Sequence, residues 1–346
     1  MKGGDFMKSI VFIDVEVSNE KVVDYGAIYD NDKSFHNKKE HKFSEFISDA
    51  YYICGHNIIS HDSKYISKSI RQRKYVFIDT LRISPLIYPK KKYHNLLKDD
   101  RLQTDSVNNP LNDSIKAKDL FFEEVASFNA LDTTLKSILG TLLFKQKEFE
   151  GFFEYVSWNR SWNVVKDIKK YFYNKICDNS QLAELVSNNP IELAYTLALV
   201  ACDEKYESFA PWVHVNYSKV EMVIDILRGH SCGECEYCRS RFNPEARLKE
   251  IFNYDSFRKF GDNEEPLQEI AVKAALEGES ILTIFPTGGG KSVTFQLPAL
   301  IASETTKGLT VVISPLQSLM KDQVDNLAGK RNHGCGYNQR LARPYY

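Results

Sequence analysis

The 346 residues predict an α/β chain of several domains, and three observations carry that expectation. Near the N-terminus, Ser9-Ile-Val-Phe-Ile-Asp14-Val-Glu16-Val17 has the length and β-branched content of a buried strand. Residues 145–230 space their apolar side chains at helical intervals and hold few glycines. Further on, Ser280–Phe285 reads as a strand, followed by Pro286-Thr-Gly-Gly-Gly-Lys-Ser292 and a helix that begins near Lys291.

Composition narrows the class. The apolar share of 43% and charged share of 26% are ordinary for a folded soluble domain. No apolar run approaches the ~20 residues of a membrane span, and the N-terminus lacks a signal-peptide pattern, so a cytoplasmic location is expected. A net charge of −1 excludes a global positive field. Contact with nucleic acid would have to come from local stretches, Lys68 to Lys74 (with Arg71 and Arg73) or Lys90-Lys91-Lys92. Either stretch reads equally well as a solvated face.

In the first strand, alternation places Asp14 and Glu16 on one face. Two carboxylates within an apolar run are costly unless a cation sits between them, and a divalent metal is the usual answer. An edge strand with a solvated face is the alternative, and the flanking Val and Ile residues oppose it. Further along, Gly55-His56-Asn57 leads to Asp62 at the start of a helix, and Phe77–Tyr88 reads as a strand running into a helix. Asn108-Asn-Pro110-Leu-Asn-Asp113 opens another helix, with Pro110 near its first turn.

This order of acids resembles the DEDD family of 3′→5′ exonucleases, which have a ribonuclease-H-like fold. The resemblance covers residues 8–145. Asp14 and Glu16 match the first motif, His56, Asn57 and Asp62 the second, and Asn108 and Asp113 part of the third. It implies that Asp14, Glu16, Asp62 and Asp113 are catalytic acids holding two Mg²⁺ or Mn²⁺ ions. Such ions activate water and stabilise the leaving 3′ oxygen. The implied partner is DNA, single-stranded or with a 3′ end. One departure bears on activity: Asn108 stands where the histidine branch has its general base, and an amide takes up no proton near neutral pH. Phe128-Asn-Ala-Leu-Asp132 offers a competing third motif, with Phe in place of the Tyr of another branch. Asp113 fits the family helix better through Ala117 to Phe121. With its base altered, the domain is expected to hydrolyse slowly or only to bind DNA ends.

Residues 146–247 read as a helical domain whose core includes Trp158, Trp162, Phe172, Leu182, Leu185, Leu193 and Leu197, and Asn189-Pro190 marks a helix start. Of seven cysteines, Cys54, Cys177, Cys202 and Cys335 are scattered, whereas Cys232, Cys235 and Cys238 are clustered. Thiolates at that spacing converge on one ion, and Zn²⁺ wants a fourth ligand, for which His230, Cys202 and Cys177 are candidates. An iron–sulfur cluster uses similar spacing, and three reduced thiols in a linker are the bland alternative. Structural zinc is the expectation, with chelation loosening the chain near residues 225–245.

The glycine run makes a phosphate cradle. Its backbone N–H groups approach the β-phosphate, Lys291 neutralises charge and the Ser292 hydroxyl reaches Mg²⁺. It resembles the Walker A loop of RecQ-type superfamily 2 helicases, with Phe285 where the general pattern has its first glycine. Val311–Asp325 resembles motif Ia of that family. Tyr254, Arg258 and Gln268 resemble its adenine-reading segment, with an insertion that leaves about ten residues between Arg258 and Gln268. The resemblance covers residues 248–328. It implies ATP and Mg²⁺ bound by Tyr254, Arg258, Gln268, Thr287, Gly288, Gly289, Gly290, Lys291 and Ser292, in an ATP-dependent DNA helicase. No D-E-x-H box follows Lys321, and residues 331–346 read as an interrupted end. Residues 248–346 are therefore expected to be a truncated RecA-like lobe with an open sheet edge, an aggregation hazard, holding ATP weakly without hydrolysing it.

Overall fold

The computed structural model describes residues 8–66, 75–96, 109–202 and 208–314, with isolated positions 318, 321, 323 and 325. The chain divides into two compact units. The first holds residues up to Tyr171 with Pro190–Ala198 and Ala210–Tyr217, and the second holds Phe172–Asn189, Leu199–Phe209 and the chain from Ser218. The expected helical middle domain, 146–247, is thus shared between the two units.

In the first unit, strands β1 (Ile10–Ser18), β2 (Lys21–Tyr29), β3 (Ser34–Asn37), β4 (Tyr52–Gly55) and β5 (Val76–Asp79) form one sheet in the order β3-β2-β1-β4-β5. β1 pairs antiparallel with β2 and parallel with β4, and β4 pairs parallel with β5. β1 lies at the centre and is covered on both faces, which explains its near-continuous apolar run. Val11, Ile13 and Val15 join a core with Phe43 and Ile47, the first of these in helix α1 (Glu40–Phe46). On the other face Phe12 meets Phe121 and Phe122 of helix α3 (Pro110–Ala130), with ring centroids 5.6 and 5.7 Å apart. Between β5 and α3 lies helix α2 (Thr80–Ile87), and after α3 come α4 (Thr133–Leu143), α5 (Glu150–Tyr155) and α6 (Val164–Tyr171). The strand-to-helix reading of 77–88 and the Pro110 helix start therefore appear as expected.

Buried charge ties these helices to the sheet. Arg82 on α2 is 7% exposed. It donates to Glu148 Oε2 at 2.8 Å and to Ser60 Oγ at 2.9 Å, and its own carbonyl accepts from Tyr195 at 2.9 Å. Asp79, just before α2, accepts from the Asn57, Ile59 and Leu81 N–H groups at 2.8, 3.1 and 3.1 Å. One core expectation fails: Trp162 is fully exposed. It lies in the irregular stretch before α6, off the apolar helix face that Ile168 occupies.

The second unit holds α7 (Leu182–Asn188), the last residues of α8 (Pro190–Ala201), then α10 (Val220–Arg228), α11 (Glu236–Phe242), α12 (Pro244–Phe252), α13 (Leu267–Leu276) and α14 (Lys291–Thr305). The short helix α9 (Pro211–Asn216) belongs to the first unit. Leu248, Ile251 and Phe252 of α12, Val272 of α13 and Val293, Leu297, Leu300 and Ile301 of α14 form its core. The strand expected at Ser280–Phe285 is irregular instead. A parallel strand needs a neighbour for its N–H and C=O groups, and among the described residues this unit has no ladder beyond the single bridge Phe260–Glu265. Leu282, Ile284, Leu309 and Ile313 are consequently 84–92% exposed, and an open cleft of about 390 Å³ is lined by Ala271, Ala275, Ile281, Pro298 and Ala302. Among the described residues no helix is long and apolar enough to cross a membrane.

A test of the helical packing in the first unit lies at Gly140. A Cβ there would stand 2.3 Å from the Trp158 ring. Gly140→Ala should therefore lower stability by about 1–3 kcal/mol, the usual cost of overpacking, measured by urea unfolding followed by far-UV circular dichroism.

Candidate functional site

The acid cluster is assembled by β1 and the first turn of α3. Single oxygens of Asp14, Glu16 and Asp113 lie within 4.8 Å of one another, and all three residues are half-buried. The helix is delivered there by local chemistry. Asn109 caps it by accepting from the Leu111 N–H at 3.0 Å, Pro110 occupies its first turn, and Ser114 Oγ donates to the Pro110 carbonyl at 2.7 Å. Further along, Lys118 Nζ donates to the Tyr29 and Asp30 carbonyls at 3.2 and 3.0 Å.

One determinant carried no sequence signal. Gly26 of β2 pairs with Asp14, and a Cβ at Gly26 would lie 2.1 Å from the Pro110 carbonyl carbon. Only bare backbone lets α3 come that close to the sheet.

Asp62 opens a single 3₁₀ turn, Asp62–Lys64, and is 2% exposed. It stands outside the set of three and accepts from the Val15 N–H at 3.2 Å, between the two β1 acids in sequence. Burial pushes its carboxyl up to about 6, against the opposing pull of His61. His56 is held down to about 4 by burial and then by His94, so its ring is neutral, and its Nδ1 lies 2.9 Å from Thr80 Oγ1. Asp132 caps α4, accepting from the Thr134 and Leu135 N–H groups at 2.8 and 3.2 Å, so its carboxylate is committed elsewhere. Asn108 and the basic run 68–74 lie outside the described residues. Lys91 Nζ sits 4.2 Å from the Tyr88 ring centroid.

In the second unit four thiols converge. Sγ atoms of Cys177, Cys232, Cys235 and Cys238 lie within 4.8 Å of one another. Of the three candidates for a fourth partner, Cys177 is the one present. His230 Nε2 instead pairs with Asp225 Oδ2 at 2.9 Å, with both side chains exposed. Cys335 lies outside the described residues.

The glycine run sits at the N-terminus of α14, a helix of 15 residues. Gly288 and Gly290 adopt φ of +77° and +75°, which favour glycine. A Cβ on Gly290 would meet Gln268 Nε2 at 2.7 Å. Gln268 is a strut: its Oε1 accepts from the Arg258 N–H and its Nε2 donates to the Gly290 carbonyl, each at 2.8 Å. Arg258 donates to the Gly288 carbonyl. Lys291 Nζ donates to the Phe285 carbonyl at 3.0 Å, folding its ammonium over the loop. Thr287 is exposed and Ser292 half-buried. Tyr254 stacks on Phe252 with centroids 6.0 Å apart. The insertion before Gln268 is a tight hairpin closed by Phe260 and Glu265 N–H···O bonds of 2.9 and 2.8 Å. It stacks Phe260 on Phe285 at 4.6 Å. Most of 315–325 and all of 326–346 lie outside the described residues.

Residues fit for each implied group are present. A helix N-terminus behind two left-handed glycines suits a polyphosphate, and three gathered carboxylates suit divalent cations.

Residues 265–341, less than a quarter of the chain, match the family described as DEAD/DEAH box helicase. Over 94 residues the chain is 45% identical to the ATP-dependent helicase SGS1 of Saccharomyces cerevisiae, covering 27% of this chain and 6% of that protein. It is 43% identical over 96 residues to the ATP-dependent DNA helicase Q5 of Mus musculus, covering 28% and 9%. It is 51% identical over 80 residues to the ATP-dependent DNA helicase RecQ of Haemophilus influenzae, covering 23% and 11%. The chain thus spans only 6 to 11% of these relatives' length. The glycine run lies within the residues that match the DEAD/DEAH box helicase family. No solved structure matches the chain.

Asp62 gives a pH test. A folded-state value near 6 against an ordinary 3.8 means that burial favours the protonated form. Its contribution is fully present below about pH 4 and is lost as pH rises through about 6, on the order of 2–3 kcal/mol. Cation-free protein should therefore lose stability over that window in thermal melts, and added Mn²⁺ should reverse the loss. Gly26→Ala should weaken Mn²⁺ binding by at least about 10-fold, since it displaces the helix carrying Asp113, an effect of the size that disturbing ligand orientation produces. Isothermal titration measures it.

Proposed function

We propose that the chain carries the nucleotide-binding segment of an ATP-dependent DNA helicase of RecQ type, joined to a metal-dependent 3′→5′ exonuclease-like unit. The observation that carries the helicase reading is the pair of left-handed glycines at the head of α14, in a segment that matches the DEAD/DEAH box helicase family. Residues 288–291 would receive the triphosphate at their N–H groups, the Lys291 ammonium leaving the Phe285 carbonyl for phosphate oxygen. Ser292 would face the accompanying Mg²⁺. Arg258 and Gln268 brace the loop from behind. Tyr254, 46% exposed, offers a ring for the base. DNA is the partner, and a cytoplasmic site of action accompanies this reading.

The gathered acids favour the second activity. Asp14, Glu16 and Asp113 would hold divalent ions, with Asp62 completing the set beside Val15. Bound Mg²⁺ or Mn²⁺ supplies an activated water and stabilises the leaving oxygen. The chain's own contribution is to orient these carboxylates on a central strand and a capped helix. Asn108 offers no base, so turnover is slow or the unit holds DNA ends. The four thiols are read as the seat of a structural metal ion, Zn²⁺ rather than an iron–sulfur cluster.

Titration with labelled ATP and Mg²⁺ should saturate in the native chain and be weakened by more than about 10-fold in Lys291→Ala, whose phosphate contact is charge-assisted. Unsaturable binding, or binding indifferent to Lys291, overturns the motor reading. With Mn²⁺ and end-labelled single-stranded DNA, the native chain should shorten the strand from its 3′ end and Asp14→Ala should not. Intact DNA with both, but a gel shift with both, leaves the end-binding role in its place.

A further inference from the structure

The four thiols come from two separated stretches, and both are anchored on α10. Cys177 donates its backbone N–H to the Leu227 carbonyl at 2.8 Å. Cys232 and Cys235 follow α10 on a tight loop in which Gly233 has φ of +77°, and Cys238 lies in the first turn of α11. That loop turns its own N–H groups onto sulfur. Cys232 N–H points to Cys238 Sγ at 3.3 Å, Cys235 N–H to Cys232 Sγ at 3.4 Å and Cys238 N–H to Cys235 Sγ at 3.4 Å. Contacts of this kind orient a sulfur ligand from outside the site.

The spacing selects the occupant. A single ion about 2.3 Å from each of four sulfurs places them about 3.8 Å apart at tetrahedral angles, and the four Sγ atoms lie within 4.8 Å of one another. In a cubane cluster each thiolate binds a different iron, which spreads the sulfurs wider.

Tyr237 stands between two of these cysteines and is 1% exposed. Its hydroxyl donates to the Arg228 carbonyl at 3.0 Å and accepts from Arg228 Nε at 3.3 Å. Arg228 in turn donates to the Glu304 carbonyl in the last turn of α14 at 3.0 Å. The Glu304 carboxylate accepts from buried Arg247 at 2.6 Å. The thiol loop is therefore wired, through one tyrosine and one arginine, to the far end of the helix whose near end carries the glycine run.

We infer that Cys177, Cys232, Cys235 and Cys238 hold one Zn²⁺ in a closed four-sulfur site, and that this ion fixes the C-terminal turn of α14 through Tyr237, Arg228 and Glu304. The inference rests on the reading of the thiols as a metal seat. It adds the part of the fold that the ion holds.

The whole 346-residue chain is the material for the test. Metal analysis should return one zinc and no iron per chain, and Co²⁺ substitution should give the sulfur-to-cobalt absorption of four thiolates. Cys177→Ser should weaken Co²⁺ binding by more than about 100-fold, the loss that removing even an outer hydrogen-bond partner of a metal ligand can reach. His230→Ala and Cys202→Ser should leave it unchanged. Amide hydrogen exchange should speed up at residues 299–305 when the metal is chelated, and equally in metal-loaded Arg228→Met, which keeps every thiol. Absence of metal, or an iron cluster, overturns the metal seat itself. A three-thiolate cobalt spectrum in the native chain, or undiminished binding by Cys177→Ser, overturns the four-sulfur site. One zinc with α14 exchange unaltered by chelation overturns the clamp alone.

Discussion

The seating of α3 against the uncovered backbone at Gly26 is the constraint on which the first unit's chemistry depends. A helix start, Pro110 and Leu111, occupies the volume where any other residue type at position 26 would put its Cβ. Because Gly26 pairs with Asp14, the same close approach brings Asp113 to the β1 acids. Phe12 against Phe121 holds the middle of the helix, and Lys118 on the carbonyls of Tyr29 and Asp30 holds it about one turn earlier. Three gathered carboxylates repel one another, and Lys116 Nζ stands 3.8 Å from Asp113 Oδ1. Geometry that serves packing thus creates a standing electrostatic demand.

The second unit meets a comparable problem by pairing. Arg247 and Glu304 are 1% and 4% exposed, and each would be costly alone. Their contact at 2.6 Å, with Arg228 on the neighbouring carbonyl, makes the end of α14 a polar knot inside an apolar core. Such a knot adds little net stability over an apolar filling, but it admits few alternative registers. That suits a helix whose first turn has to be placed accurately.

Much of this was legible where local chemistry decides the structure. A buried strand carrying Asp14 and Glu16, the strand-to-helix passage after Phe77, the Pro110 start and the α14 start all follow from period, capping and turn residues. The rest depends on partners distant in sequence. Cys177 is far from Cys232, and only the fold chooses it over His230 or Cys202. Gly26 looks like an ordinary strand glycine until α3 is seen against it. Residues 280–285 have strand composition, yet a strand is a property of a pair, and no partner lies among the described residues. Trp162 has the composition of a core residue but falls outside any helix.

That exposed indole has a practical side. The chain has three tryptophans, and Trp158, Trp162 and Trp212 all belong to the first unit. Trp162 already sees water in the native state, whereas Trp158 donates to the Phe153 carbonyl at 2.8 Å and the Trp212 ring lies 6.0 Å from the Arg82 guanidinium. Selectively excited tryptophan emission therefore reports melting of the sheet-bearing half through two fluorophores and is blind to the half that contains the glycine loop and the thiols. A single optical transition in such an experiment would describe half a molecule.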